Sequence, residues 1–179
     1  MPIKPLSYSL VRKIIEEHGC FSLVYRRDRH LNRGGKRTYF YFRPHFAITM
    51  KSDKKDLMQQ VKDTIGCGKV TESGGQVRLD IFSPFDAKHI ISLLTKHKFS
   101  NFRQQEEFEL WREAVDIMLK NQKKKVNAEK GRQGFVSTWA NFNQNDFRRL
   151  FRIREVMKGY KKWRKTEYKW THSLLARPY

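Results

Sequence analysis

Cysteine is nearly absent from this chain, with two in 179 residues, Cys20 and Cys67. A pair of thiols does not make a disulfide framework, and no Cys/His cluster has the spacing of a zinc finger. Both are expected to be free, reduced thiols near strand starts. Long apolar runs are also missing. No window approaches 18 apolar residues, so no helix is expected to span a bilayer. The opening "MPIKPLSYSL" lacks the apolar core of a secretory signal. Acidic residues are scarce beside basic ones, 18 Asp+Glu against 38 Lys+Arg, which leaves a net charge of +20 and a pI near 10.2. A charge of that size favours a polyanionic partner, usually nucleic acid and sometimes an anionic membrane.

What is present is aromatic as well as basic. Hydrophobic residues make up 39% and aromatics 13%, which argues against global disorder. The charge is unevenly spread. Residues 1–120 hold 22 Lys+Arg and 14 Asp+Glu, residues 121–179 hold 16 and 4, so the two parts carry 22 − 14 = +8 and 16 − 4 = +12. "NQKKKVNAEKGRQG" marks the junction. The organisation read from this is a folded domain over 1–120 and a basic, aromatic-rich C-terminal extension over 121–179.

Residues 6–18 read as a helix, with Leu6, Leu10, Ile14 and Ile15 near one face and Gly19 as its terminal glycine. "CFSLVYRR" reads as a strand and "DRHLNRGGK" as a polar loop with a Gly-Gly turn. "RTYFYFRPHFAITM" reads as a long strand bent at Pro44. Along it Phe40, Phe42, Phe46 and Ile48 fall on one face, and Tyr39, Tyr41, Arg43, His45 and Thr49 on the other. Period 2 with one greasy face leaves the polar face available. "DKKDLMQQVKDTIG" is an amphipathic helix with Leu57, Val61 and Ile65 at i, i+4, i+8, Asp53 near its N-cap and Gly66 as its stop. "GKVTESGGQVRLDIF" is a hairpin around Ser73-Gly74-Gly75, with Val77, Leu79 and Ile81 inward and Gln76, Arg78 and Asp80 outward. "SPFDAKHIISLLTKH" and "RQQEEFELWREAVDIMLK" read as two further helices. The second keeps Phe108, Trp111, Val115 and Met118 inside. The order αββαββα, with an additional helix before the last, predicts an α+β fold: one four-stranded sheet, helices on one face, the other face open.

Four segments in this order carry a resemblance: "VRKIIEEHGCFSL", "FAITMKSDKKDLMQQVKDTIGCGKV", "GGQVRLDI" and "NFRQQEEFELWREAVDIM". From about Leu6 to Lys120 the chain resembles a single-motif LAGLIDADG homing endonuclease. The resemblance implies an αββαββα unit whose antiparallel sheet forms a saddle over DNA. It also implies pairing of two units through the motif helices, and acids at the helix ends that bind divalent metal for phosphodiester cleavage.

Set against that family, the nine-residue motif falls on Val11 to Gly19, and the metal-binding acid falls on His18. Magnesium and calcium want carboxylate oxygen, whereas imidazole suits softer ions. Glu16 and Glu17 are adjacent, but one residue along a helix is about 100° of rotation. The positions where helices of the family pack tightly hold Lys13 and Glu17, both bulky and charged, so the family's homodimer is expected to be lost. The basic pocket residue of the family falls near Phe102, and a polar pocket position falls on Met50. These departures strike the chemistry and the dimer while the core alternation is intact. They suggest a binding scaffold without cleavage, with no catalytic residues and no cofactor, magnesium being needed only if cleavage survives.

The expected nucleic-acid surface is the open sheet face with Arg26, Tyr39, Tyr41, Arg43, Lys69, Thr71 and Arg78. The neighbouring loop adds Arg27, Arg29, Arg33, Lys36 and Arg37. In the extension, Phe147, Leu150, Phe151 and Met157 pack a short helix on the core, and Arg148, Arg149, Arg152, Lys161, Lys162, Trp163, Arg164 and Lys165 join the surface. The reading is a non-catalytic, RNA-binding component of an organellar ribonucleoprotein such as the large subunit of the mitochondrial ribosome. Ribosomal RNA and neighbouring proteins would be its partners, without a membrane. The mitochondrial setting rests on the resemblance, since no clear targeting signal is visible. The alternatives are an active endonuclease cutting a long DNA site, a group I intron maturase, or a regulator that binds DNA without cutting it.

Overall fold

The computed structural model describes residues 6–32, 35–96, 98–121 and 142–160, and only the backbone of 27–32 and 35–40. Helix α1 (Tyr8–His18) leads into strands β1 (Gly19–Asn32) and β2 (Gly35–Lys51). A 3-10 turn (Ser52–Lys54) then precedes α2 (Lys55–Ile65), the hairpin β3 (Lys69–Ser73) and β4 (Gln76–Ile81), and helices α3 (Pro84–Leu94), α4 (Phe102–Lys120) and α5 (Gln144–Tyr160). The four strands form one antiparallel sheet in the order β1-β2-β4-β3. The predicted order and the single-faced sheet are both present.

Alternation decides which face is covered. Phe21, Leu23 and Tyr25 on β1, Phe42, Phe46, Ile48 and Met50 on β2, and Val77, Leu79 and Ile81 on β4 are all buried. The helices supply Ile15, Val61, Ile90, Phe108, Trp111 and Val115 to the same core. Phe21 sits at its centre, with ring centroids of Phe46, Trp111 and Phe108 at 5.1, 5.2 and 5.5 Å. Aromatics bring large apolar area and prefer such tilted contacts. Pro44 lies in register with Leu23, outside the β2–β4 ladder that begins at Phe46, where a residue without an N–H is tolerated.

Several local expectations need correction. The stretch "DRHLNRGGK" is not a loop: β1 runs to Asn32 and β2 starts at Gly35, with Asp28 opposite Tyr39 and Asn32 opposite Gly35. Strand pairing there is extended by backbone hydrogen bonds, which need no apolar alternation and so leave no hydrophobic pattern. Gly19 does end α1, but with φ −79° and ψ 146°, not in the left-handed region. Its constraint is space, because an added Cβ would collide with the Ile15 carbonyl oxygen. Asp53 lies near the α2 N-cap as expected, inside the 3-10 turn, while Lys54 stands at the cap itself with no side-chain bond. Gly66, by contrast, is a left-handed cap as expected, at φ 81°. Leu10 is 42% exposed, and the buried stripe of α1 is Val11, Ile14 and Ile15. Phe40 and Tyr39 lie among residues whose side chains are not described.

The basic segment after residue 120 contributes to the core. Phe147, Leu150, Phe151 and Met157 of α5 are buried, as their spacing implied. Phe151 lies 4.8 Å from the Tyr25 ring and 5.0 Å from Phe42. Helix α5 runs along α4, tied at one end by Lys120–Asp146, in the middle by Arg149–Glu113 and at the other end by Tyr160–Glu106.

Candidate nucleic-acid interface

The register fixes which side chains share the uncovered face. Across the sheet, Val24 pairs with Arg43, Arg26 with Tyr41, and Ser22 with His45. Thr49 pairs with Arg78, and Arg78 with Thr71 on the edge strand. Lys69 pairs with Asp80. Of the expected surface, Arg26, Lys69, Thr71 and Arg78 are exposed, and Tyr41 and Arg43 are half-buried. This face is therefore basic, with hydroxyls and rings between the charges. Arg27, Arg29, Lys36 and Arg37 fall on the paired far ends of β1 and β2, where only the backbone is described. Arg33 and the segment Lys161, Lys162, Trp163, Arg164 and Lys165 lie outside the described residues.

A polar network at the middle of this face was not foreseen. His45 Nε2 lies 2.7 Å from Asp80 Oδ1, and Arg78 Nε donates to the same oxygen at 2.7 Å. On the other side of the ring, His45 Nδ1 lies 3.1 Å from Ser22 Oγ. A carboxylate only accepts, so Nε2 carries the hydrogen that points to Asp80. The Arg78 Nη2 atom lies 3.1 Å from the same Nε2, so the guanidinium and the imidazole sit side by side at this carboxylate. Ser22 can serve two charge states of the ring. Its hydroxyl donates to Nδ1 of the neutral ring, or turns to the His45 carbonyl 3.3 Å away when Nδ1 is protonated. The His45 ring stacks on Phe82 at 4.4 Å and 11°, and the Arg43 guanidinium lies 4.2 Å from the same Phe82 ring. Alternation places each of these residues outward, but only the strand register brings Ser22, His45 and Asp80 together.

Helix α1 ends differently. His18 Nε2 lies 3.8 Å from Glu17 Oε2, and both side chains are well exposed. Glu16 is occupied: it accepts from Arg12 at 3.2 Å and from the Ser100 amide at 3.4 Å. Arg12 also donates to the Lys98 carbonyl, so this acid braces α1 against the segment before α4. Lys13 and Glu17 are exposed on α1. Phe102 is 76% exposed in the first turn of α4, and Met50 is buried on the covered side of the sheet. An imidazole beside one carboxylate is a poorer donor set for a hard divalent cation than two carboxylates would be. Among the described residues no group of three His, Cys, Asp or Glu is placed to hold a metal.

The cations of α5 divide in two. Arg148 and Arg152 are exposed. Arg149 makes a two-point contact with Glu113, at 2.6 Å from both Nε and Nη2. The Arg149 hydrogen bonds hold the Glu113 carboxyl below its ordinary range, partly opposed by burial, and raise the arginine in turn. A depressed carboxylate contributes stability above its unfolded pKa and loses it as pH falls through the folded value. Glu113→Gln should therefore cost about 0.5–1 kcal/mol near neutral pH, and the deficit should close below pH 4 in urea titrations. An equal deficit at all pH values would show that the charge is not the cause. Buried Arg154, paired with neighbouring Glu155 at 2.7 Å, is a further cation that the sequence reading did not single out. Cys20 and Cys67 are free, and burial pushes the Cys67 thiol up to about 11, with Asp86 adding to the shift.

Comparison with known proteins agrees with this geometry at the level of fold. No protein-family model matches the chain, and no curated protein matches it. Solved structures do. The homing endonuclease I-TnaI is 15% identical with a TM-score of 0.64, over 87% of this chain and 96% of that one. The archaeal intron-encoded homing endonuclease I-Vdi141I, complexed with DNA, is 18% identical at TM-score 0.64, over 93% and 91%. I-SmaMI, bound to an uncleaved DNA target with calcium, is 14% identical at TM-score 0.65, over 87% of this chain but 46% of that one. The chain thus spans nearly all of the first two and under half of the third. It has the fold of the LAGLIDADG homing endonucleases. No helix among the described residues is long and apolar enough to cross a membrane.

Proposed function

We propose that this protein binds nucleic acid across the open face of its sheet and does not cut it. One contrast supports the reading: the outward face keeps its arginines, lysine, tyrosine and threonines, while the end of α1 offers His18 beside Glu17 where hard-metal chemistry needs carboxylates. Ground-state binding needs the first feature and not the second. The finer target we propose is structured RNA, in a mitochondrial ribonucleoprotein such as the large ribosomal subunit, bound by a monomer because Lys13 and Glu17 occupy the helix face that a twin would cover. The test is to crosslink the native protein in cell extract and sequence what it holds. Ribosomal RNA, with cosedimentation beside a large subunit, is the expected result. A single genomic DNA site and no RNA would overturn the RNA target.

A second reading is favoured by the fold, which I-Vdi141I and I-SmaMI use in DNA complexes. It holds that the protein still cuts DNA, or serves as an intron maturase, with Glu16 or Glu17 as a displaced ligand. It requires magnesium-dependent cutting of a long duplex that Glu17→Gln abolishes. Intact duplex at high protein concentration would eliminate it.

A further inference from the structure

Among the described arginines of the open face, Arg78 is the one tied to a carboxylate. Its Nε donates to Asp80 Oδ1, the oxygen that also accepts from His45 Nε2, both at 2.7 Å. The exposures are graded. The Asp80 and His45 side chains are 14% and 13% exposed, and that of Arg78 is 44% exposed. A shielded carboxylate therefore holds an accessible guanidinium. The carboxylate is itself fixed, since its histidine partner is pinned by Ser22 on one side and stacked on Phe82.

From this geometry we infer that Arg78 reads a guanine. The guanidinium is anchored through Nε and has Nη2 beside His45 Nε2 at 3.1 Å, which leaves the second N–H of Nη2 and those of Nη1 for the fork that matches guanine O6 and N7. An arginine free to rotate would lose rotamer entropy on binding, and much of that cost is met here in the folded protein. The neighbours suit a base edge. Thr49 and Thr71 flank Arg78 in register on β2 and β3, and both are short. Asp80 and His45 are positioning residues in this scheme. The inference rests on the open face being the nucleic-acid surface. The guanine can lie in a DNA major groove or in an unpaired RNA segment, since the major groove of an RNA helix is too narrow to enter.

The test is to let the full-length protein select from randomised DNA duplexes and, separately, from RNA hairpins with randomised loops. Wild type, Arg78→Lys, Asp80→Asn and Arg26→Ala are then compared by sequencing the bound fraction. Wild type should enrich guanine at one position, and the pool in which it does so identifies the source. Arg78→Lys keeps the charge and loses the fork, so guanine preference there should fall by about ten- to a hundredfold, with the preferences at the other positions kept. Asp80→Asn should weaken the same position and no other, which a merely structural role would not do. Arg26→Ala should lower binding to all sequences alike. An unchanged base profile in Arg78→Lys, or wild-type binding without any guanine position, overturns the assignment while leaving the open-face reading intact. Binding to neither pool overturns both.

Discussion

Replacing Phe151 with alanine will destabilise the protein by about 3–5 kcal/mol, the range for removing a buried phenylalanine. Phe151 is 3% exposed, and its ring meets Phe147, Tyr25 and Phe42 at 4.9, 4.8 and 5.0 Å. Those partners belong to α5, β1 and β2, so the hole left behind is lined by three elements and cannot close by one rotamer change. The effect should exceed that of Glu113→Gln severalfold, although the Arg149 contact joins the same two helices, because an exposed ion pair gains little over water. Denaturant unfolding gives the loss, and hydrogen exchange over 144–160 reports whether α5 frees first. A loss under 1 kcal/mol would mean that the sheet is stable without α5.

Changing Arg26, Arg43 and Lys69 together to alanine will weaken nucleic-acid binding by about a hundredfold at physiological salt. It will also lower the slope of log K against log salt by roughly 2–3, as expected for three lost phosphate contacts. The three lie on β1, β2 and β3, so they sample the width of the open face, and none is needed for the core. Tyr41→Ala should behave differently. A stacked base is worth about 1–3 kcal/mol, and its loss should lower affinity with the salt slope unchanged. Wild-type slope and affinity in the triple variant would move the contact surface off the sheet, with the exposed Arg148 and Arg152 of α5 as the next place to look.

The sequence was legible wherever a pattern repeated. Strict alternation in β2 and β4 assigned Phe46, Ile48, Val77, Leu79 and Ile81 inward and Arg43, Thr49 and Arg78 outward, and each is where the alternation put it. The 3.6-residue period found Phe108, Trp111, Val115 and Met118 in α4, and Phe147, Leu150, Phe151 and Met157 in α5. Reading failed where no apolar period exists. The far ends of β1 and β2 are held by backbone pairing, so Asp28 to Lys36 looked like a loop. Gly19 ends α1 where the pattern put it, but only the packing shows why glycine is required there: an added Cβ would meet the Ile15 carbonyl oxygen.

The interface divides along the same line. Sequence alone determined a strongly basic chain, one covered and one uncovered sheet face, and which type of residue stands on each, because alternation and charge are local properties. Tertiary structure decided what those residues do to one another. Ser22, His45 and Asp80 come from three strands and stand up to 58 positions apart, so nothing local marks them as one network. Likewise Arg149 looks like its neighbours Arg148 and Arg152 until α4 brings Glu113 against it. Register and helix packing are set by the sum of long-range contacts, which is why a charge's partner is visible only after the chain has folded.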